Sequence, residues 1–172
     1  AIVDAPSLEI SVAEEEAEES SSKELMLLVE DNQELRSFLR SIFASTYRVV
    51  EASDGMEGWN KALKYLPDII ISDVMMPEMN GFELCRRVKS DMALSHIPVI
   101  LLTALSDDSQ RLYGFEGGAD EYIQKPFNIE IVKLRIIKLL EERNRLREVF
   151  LKESQSPAGL SIETKGKVES LD

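Results

Sequence analysis

The chain alternates short, continuous apolar runs with longer segments in which apolar residues recur every three or four positions. A run of four or five Val, Ile and Leu residues is typical of a strand buried on both faces of a parallel sheet. The three-to-four spacing is typical of a helix that packs one face on a core. The pattern predicts strands over 25–30, 47–52, 69–73, 99–103 and 121–124, and helices over about 32–44, 55–65, 82–90, 107–115 and 127–152.

Five strands that alternate with helices over short connections predict parallel pairing through right-handed crossovers. An α/β fold with a five-stranded, doubly wound sheet of strand order 2-1-3-4-5 is the topology that this arrangement favours. The last helix, at about 25 residues and roughly 37 Å, is longer than a small sheet can cover. Its second half is highly charged. We therefore expect this half to protrude and to be able to pair with a partner.

The two ends of the chain differ in composition from its centre. Residues 1–23 are rich in Glu and Ser and have too few large apolar side chains to offset the entropy lost on ordering. The predicted organisation is an acidic flexible linker (1–23), a globular domain (24–140), an extension of its last helix (141–152) and a C-terminal linker (153–172). Because the chain starts at Ala1 without a methionine, we expect it to be a fragment of a longer protein.

Composition narrows the classes of function. The net charge is -12, and this acidic balance argues against nucleic-acid binding by these residues because phosphate contacts need a basic surface. Cys85 is the only cysteine, which excludes an intramolecular disulfide and a cysteine metal cluster and favours a reducing, cytoplasmic compartment. No apolar run approaches the roughly 20 residues of a membrane span, so we expect no membrane contact.

Acidic side chains follow two of the buried runs. Glu30 and Asp31 end the first strand, and Asp73 ends the third. The carboxyl ends of parallel strands share one edge of the sheet, where open α/β folds bind their ligands. Carboxylates that converge there repel one another unless a cation lies between them, and their oxygens suit a hard divalent ion. Thr103 and Lys125 end the fourth and fifth strands at the same edge.

Each of these residues has an ordinary structural explanation when it is taken alone. A threonine at a strand end is usually a turn residue, a lysine there is usually solvated, and acidic residues before a helix are commonly caps. Those explanations do not account for such residues at four strand ends of one sheet. The joint occurrence is what indicates a functional site.

Four separated motifs surround these strand ends: Leu28-Val29-Glu30-Asp31-Asn32, Ser72-Asp73-Val74-Met75-Met76-Pro77-Glu78-Met79-Asn80-Gly81, Leu102-Thr103-Ala104 and Lys125-Pro126-Phe127. Together they resemble the receiver domain of two-component response regulators, over about residues 24–140. The chain also resembles, less specifically, the receiver module of hybrid sensor histidine kinases. In that group one polypeptide joins a sensor, a histidine kinase, a receiver and a helix-turn-helix DNA-binding domain.

The resemblance implies a flavodoxin-like fold and a phosphorelay function. It implies that Asp73 accepts a phosphoryl group from a phosphohistidine on a kinase domain, in the same polypeptide or in its dimer partner. It also implies a Mg2+ site formed by Asp31, Asp73 and the backbone carbonyl of Met75, with Glu30 holding a metal-bound water. The chain itself would catalyse at most its own phosphotransfer and a slow dephosphorylation.

The resemblance assigns the remaining site residues to charge neutralisation and switching. Lys125 places its charge opposite the metal, and the Lys125-Pro126 bond is expected to be cis. The Thr103 hydroxyl would move inward to bond a phosphoryl oxygen, and Tyr122 would rotate into the space that it leaves. We expect the face made by the 107–115 helix, strand five and the last helix to form a homodimer and to signal to a downstream DNA-binding output domain.

Two positions next to the predicted site residues have apolar side chains. Met75 lies two residues after the phosphoacceptor, and Leu105 lies two residues after Thr103. In the family these positions help to place the water that hydrolyses the phosphoryl group, and apolar side chains cannot orient a water. The sequence therefore predicts that the phosphoryl group is lost over hours. Many receivers also have Asp where this chain has Glu30, and the longer side chain can keep the same role.

Two other functions would need different residues at these positions. A haloacid-dehalogenase-type phosphatase needs a second Asp at the position of Met75, and a flavodoxin-like cofactor protein needs a hydroxyl-rich loop where Glu30-Asp31-Asn32-Gln33 stands. A degenerate receiver that only docks to other proteins is the rival that stays open. His96 is interpreted as a surface residue, and Trp59 and the phenylalanines are expected in the core.

Overall fold

The computed structural model describes residues 23–104 and 118–155 of the chain. Strands and helices alternate along them: β1 (Leu25–Val29), α1 (Gln33–Phe43), β2 (Arg48–Ala52), α2 (Gly55–Tyr65), β3 (Ile69–Asp73), α3 (Gly81–Ser90), β4 (Val99–Thr103), β5 (Glu121–Gln124) and the C-terminal helix α4 (Ile129–Gln155). The helix predicted at 107–115 lies outside the described residues, as does most of both predicted linkers. The domain boundaries stay a prediction.

The five strands form one parallel sheet in the order β2-β1-β3-β4-β5, which confirms the predicted topology. Every residue of β1, β3 and β4 is buried, whereas the two edge strands are mostly half-buried. The continuous apolar runs therefore mark the strands that have a helical layer on both faces. The register pairs Val29 with Ser72, Asp73 with Leu102 and Thr103 with Gln124, so four strands end at one edge.

Alternate residues of the sheet point into two separate cores. One core contains Leu27, Val29 and Ile70 from the sheet and packs against α2 and α3. The other contains Met26, Leu28 and Ile71 and packs against α1 and the first half of α4. This division places α1 and the C-terminal helix side by side on one face and leaves the carboxyl edge of the sheet open between the layers.

The phenylalanines are not all in the core. Phe43 is buried, but Phe38 is 54% exposed and Phe150 is 70% exposed. The expectation that they pack inside is therefore wrong at these two positions. Phe38 lies at one edge of the apolar stripe of α1, about 100° around the helix from the buried Leu39. His96 is exposed, as predicted.

Three helices begin at polar caps close to the site. The side-chain oxygens of Asn32, Asp54 and Asn80 each accept the backbone N–H of the third residue of α1, α2 and α3, at 3.0, 2.8 and 2.9 Å. Such caps satisfy backbone donors that the first helical turn leaves unpaired. They let α1 and α2 begin within four residues of the strand end before them, whereas seven residues separate β3 from α3.

The C-terminal helix lies on the sheet only as far as Arg143. Its side chains Val132, Ile136 and Leu140 are buried against the sheet. The Arg143 guanidinium then donates two hydrogen bonds to Asp68, to the backbone oxygen at 2.6 Å and to Oδ1 at 2.8 Å. From Asn144 to Ser154 every residue is exposed, and the helix continues through Gln155, the last residue that the structure describes. The predicted extended helix is thus confirmed.

No helix in the described part of the chain is both long and apolar enough to cross a bilayer.

Loss of the Arg143 contact should weaken the anchoring of this helix. The Arg143 side chain is only 9% exposed, and its partner Asp68 also accepts the backbone N–H of Leu25 at 2.7 Å. We expect Arg143→Met to lower the free energy of unfolding by about 2 kcal/mol, because a partly buried carboxylate loses its charged donor. Urea denaturation measures the change. Arg145→Met, at an exposed position of the same helix, is the control, and equal losses in the two variants would contradict the prediction.

Candidate receiver site

Three carboxylates meet at the carboxyl edge of the sheet. Glu30, Asp31 and Asp73 each bring one carboxylate oxygen within 4.8 Å of the others. Glu30 is 2% exposed and Asp73 is 8% exposed, whereas Asp31 faces solvent. The parallel register causes this convergence, because β1 and β3 are neighbours that end at the same level. The arrangement offers oxygen ligands on the side that is open to water.

A lysine faces the acidic cluster from the far strand. The Nζ atom of Lys125 lies 3.1 Å from Oδ1 of Asp73, and the same oxygen accepts the backbone N–H of Val74 at 2.8 Å. The Lys125-Pro126 peptide is cis, as predicted. The backbone N–H of Lys125 also donates to the Thr103 carbonyl at 2.7 Å, which ties the ends of β5 and β4 together. Asp73 therefore lies between the acids and a cation.

The Glu30 carboxyl is strongly perturbed. Burial, and next the charge of Asp73, raise its pKa from 4.5 to about 8, with a smaller opposing effect of Lys125. Its Oε2 atom is buried and has no hydrogen-bond partner within the described residues. An ionised carboxylate in this position lacks compensation unless a positive charge joins it. Both observations fit a site built for a divalent cation, for which carboxylate oxygens are suitable ligands.

The two residues with predicted switch roles lie on adjacent strands. Thr103 is fully buried at the end of β4. Tyr122 is half-buried on β5, where it pairs with Leu101 and packs against the core that contains α2 and α3. Its hydroxyl accepts the backbone N–H of Ala119 at 3.2 Å. The register therefore places Tyr122 two positions before the level of Thr103.

Met75 lies in the loop between Asp73 and α3, and its side chain is 68% exposed. An exposed apolar side chain next to the cluster agrees with the expectation that it contributes no polar group there. Ligation of a metal by its backbone carbonyl stays a prediction. Leu105, the other apolar position singled out from the sequence, lies outside the described residues.

The loop after Asp73 folds back against the strand that carries it. The backbone N–H of Gly81 donates to the Val74 carbonyl at 2.9 Å. A Cβ atom at Gly81 would lie 2.2 Å from the backbone oxygen of Asp73, closer than any real contact. Only glycine allows α3 to begin directly against the strand end, so the last residue of the long sequence motif has a steric reason.

Arg36 is a residue of the site that the sequence reasoning missed. Its Nη1 atom donates to the backbone oxygen of Glu30 at 2.7 Å, and its Nε lies 3.5 Å from Oε1 of Glu51. Arg40 pairs with the same Glu51 carboxylate. The arginine thus holds the main chain at the acidic pair. Glu51, a charged residue within β2 and beside the apolar β1, could have indicated that a basic residue of α1 lies nearby.

The comparisons with known proteins agree with this geometry. The family model described as "Response regulator receiver domain" matches residues 26–137. A histidine kinase from Formosa agariphila is 44% identical over 149 residues, which are 87% of this chain and 10% of the relative. The chain therefore spans about a tenth of that relative's length.

Solved structures give the same result. The signal receiver domain of a signal transduction histidine kinase from Syntrophus aciditrophicus is 39% identical, with a TM-score of 0.63 over 69% of this chain and 91% of that chain. The receiver domain of a sensor histidine kinase from Pseudomonas aeruginosa, with a magnesium ion coordinated in its active site cleft, is 25% identical, with a TM-score of 0.65 over 70% and 99%. With its sheet order and acidic cluster, the chain belongs to the response regulator receiver domain family.

Proposed function

We propose that this receiver domain accepts a phosphoryl group on Asp73 from a phosphohistidine of a histidine kinase domain. One observation carries the proposal: the Asp73 carboxylate lies between two further acids on one side and the Lys125 ammonium on the other. An Asp73 oxygen forms the new bond to phosphorus as the bond from phosphorus to the histidine nitrogen breaks. The donor kinase domain belongs to the same polypeptide or to its dimer partner.

The cation of the proposed site is Mg2+, as in the similar Pseudomonas aeruginosa receiver structure. Asp31, Asp73 and the Met75 carbonyl would hold it, with Glu30 bonding one of its waters. When bound, Mg2+ supplies positive charge that offsets charge on the transferred group. Lys125 supplies a second positive charge from the opposite side, because its Nζ atom already lies beside Oδ1 of Asp73.

The direct test is incubation of the chain with acetyl phosphate and Mg2+, followed by intact mass measurement. We expect a mass increase of one phosphoryl group, and no increase in Asp73→Asn. Asp91→Asn, which makes the same change in the loop after α3, should be phosphorylated like the parent chain. No increase in the parent chain would overturn the proposal and favour a degenerate receiver that acts only as a docking module. The same mass comparison of the parent chain and Asp73→Asn with beryllofluoride in place of acetyl phosphate is an independent test.

The output of the switch belongs to the same proposal. Phosphorylation would draw the Thr103 hydroxyl toward the phosphoryl oxygens and let Tyr122 turn inward, which shifts the population of a two-state surface. That surface, made by the 107–115 segment, β5 and α4, would form a homodimer and act on a downstream DNA-binding output domain. The single, buried Cys85 thiol supports a cytoplasmic location.

A long lifetime of the phosphoryl group is expected from Met75. Since its thioether cannot orient a hydrolytic water, we expect a half-life of hours, and a several-fold shorter one in Met75→Asn. Loss of the added mass after removal of acetyl phosphate measures the rate. Met92→Asn is a matched control because Met92 is 97% exposed in the loop before β4. Rapid decay in the parent chain that Met75→Asn leaves unchanged would contradict this prediction.

A further inference from the structure

The protruding half of α4 and the loop before β4 enclose a groove of about 730 Å³, called here the α4 groove. It lies at the amino edge of the sheet, away from the acidic cluster. Its apolar lining is largely exposed, since Leu146 is 67% and Phe150 is 70% exposed. The apolar side chains are Leu146, Val149 and Phe150, and the basic ones are His96, Arg143 and Arg147.

The α4 groove has unused positive charge. Arg147 has no ion pair with any residue that the structure describes, whereas the Arg143 guanidinium is already paired with Asp68 and only its buried Nε atom has no hydrogen-bond partner there. The pKa of His96 is lowered by burial and by the neighbouring charges of Arg147 and Arg143. One acid, Glu153, lines the far end. A ligand of this groove should therefore combine carboxylates with apolar side chains.

The chain enters the fold next to this groove. The backbone N–H of Leu25 donates to Oδ2 of Asp68 at 2.7 Å, and Oδ1 of the same carboxylate accepts Nη2 of Arg143 at 2.8 Å. A single aspartate therefore links the first residue of β1 to the residue at which the C-terminal helix leaves the sheet. Whatever precedes β1 starts beside the basic end of the α4 groove.

The segment before β1 has the matching chemistry. Residues 1–22 contain seven acids and no Lys, Arg or His. From Leu25, at roughly 3.3 Å per residue, seven residues reach about 23 Å. The groove from Arg143 to Glu153 is about 15 Å long at 1.5 Å per residue. The acidic side chains are Asp4, Glu9, Glu14, Glu15, Glu16, Glu18 and Glu19, and the large aliphatic ones are Ile2, Val3, Leu8, Ile10 and Val12.

We propose that residues 1–22 bind in the α4 groove, with acidic side chains on Arg147 and aliphatic side chains on Leu146 and Phe150. The segment that leads into the receiver and the helix that leads out of it are then in contact. A second copy of the helix is a poorer occupant, because pairing two such faces would bring like-charged arginines together.

Disulfide trapping in the full chain tests this contact. Ala17→Cys is combined either with Glu153→Cys, which lies in the α4 groove, or with Glu148→Cys, which is exposed and does not line it. The two helix positions make the same charge change and lie about 140° apart around the helix. The native Cys85 is buried. Under mild oxidation we expect the intramolecular disulfide to form about tenfold faster with Glu153→Cys, and added salt to reduce that advantage.

A second experiment reverses charges in the groove and in the segment. Adding Arg147→Glu to the Ala17→Cys/Glu153→Cys chain should slow disulfide formation toward the rate of the control pair. Adding Glu16→Lys and Glu18→Lys to that variant should restore it. Equal rates for the two cysteine pairs would overturn the proposal. Disulfides between chains at Glu153→Cys in place of intramolecular ones would also overturn it, and would identify a second copy as the occupant.

Discussion

Replacing Glu30 with glutamine should make the metal-free domain more stable at pH 8, by about 4 kcal/mol, because each pKa unit corresponds to about 1.4 kcal/mol. The folded-state pKa of Glu30 is raised from 4.5 to about 8, by burial and then by Asp73. Between these values the unfolded chain has released a proton that the folded domain still holds. The unfolded state binds fewer protons, so stability falls as pH rises through this window.

Glutamine removes this dependence, since it resembles the protonated acid at every pH. The two chains should therefore have similar unfolding free energies near pH 4.5 and separate progressively toward pH 8. Urea denaturation at several pH values, without divalent cation, measures the difference. Glu34→Gln is the matched control, because Glu34 is exposed in the first turn of α1. A parallel pair of pH profiles for the parent and Glu30→Gln would refute the expectation.

Glu30→Gln should also reduce the pH-dependent stabilisation of the domain by Mg2+. A cation that binds the folded state stabilises it by an amount that grows with the logarithm of its concentration relative to its Kd. Because metal and proton compete for carboxylate oxygens, the stabilisation of the parent chain by Mg2+ should increase from pH 6 to pH 8. In Glu30→Gln the increase should be smaller. A thermal melt with and without Mg2+ at the two pH values gives the result, and identical increases would count against a role of Glu30 at the metal.

Substitution of Gly81 by alanine should damage both stability and phosphorylation. The new Cβ would lie 2.2 Å from the Asp73 backbone oxygen and 2.9 Å from Cα of Val74. Neither obstacle is a flexible side chain, so β3 and α3 must separate, at a cost of about 3 kcal/mol. Because Asp73 ends β3, this displacement should also slow phosphorylation by acetyl phosphate by tenfold or more.

Gly118→Ala is the control, because it replaces a glycine where the new Cβ atom would meet no neighbouring atom. Gly118 has a φ of +67° with open space around its Cα, and it precedes β5 at the opposite edge of the sheet. We expect a cost of about 1 kcal/mol from the left-handed backbone alone, with phosphorylation unchanged. If Gly81→Ala were no more destabilising than Gly118→Ala, or kept the parent rate of phosphorylation, the steric explanation would be wrong.

Local sequence patterns predicted the fold well because they coincide with burial. Continuous runs such as Ile69-Ile70-Ile71 can only be satisfied between two helical layers, and this fixes the central strands and the parallel topology. Helix faces were harder to predict. The apolar stripe of α1 is wider around the helix than the surface that the sheet covers, so Leu39 and Phe43 are buried while Phe38, at one edge of the stripe, is exposed. Spacing alone does not tell how wide a stripe the neighbouring layer will cover.

By itself, the sequence determined the strand order, the edge at which the polar residues gather and the receiver family, because each follows from local pattern and motif. Three features came only from the tertiary structure: the bond of Arg36 to the Glu30 carbonyl, the bonds of Arg143 to Asp68, and the Oε2 atom of Glu30 that has no partner among the described residues. Arg143 and Asp68 are separated by 75 residues. Such pairs depend on register and on how far each helix extends over the sheet, which no local pattern contains.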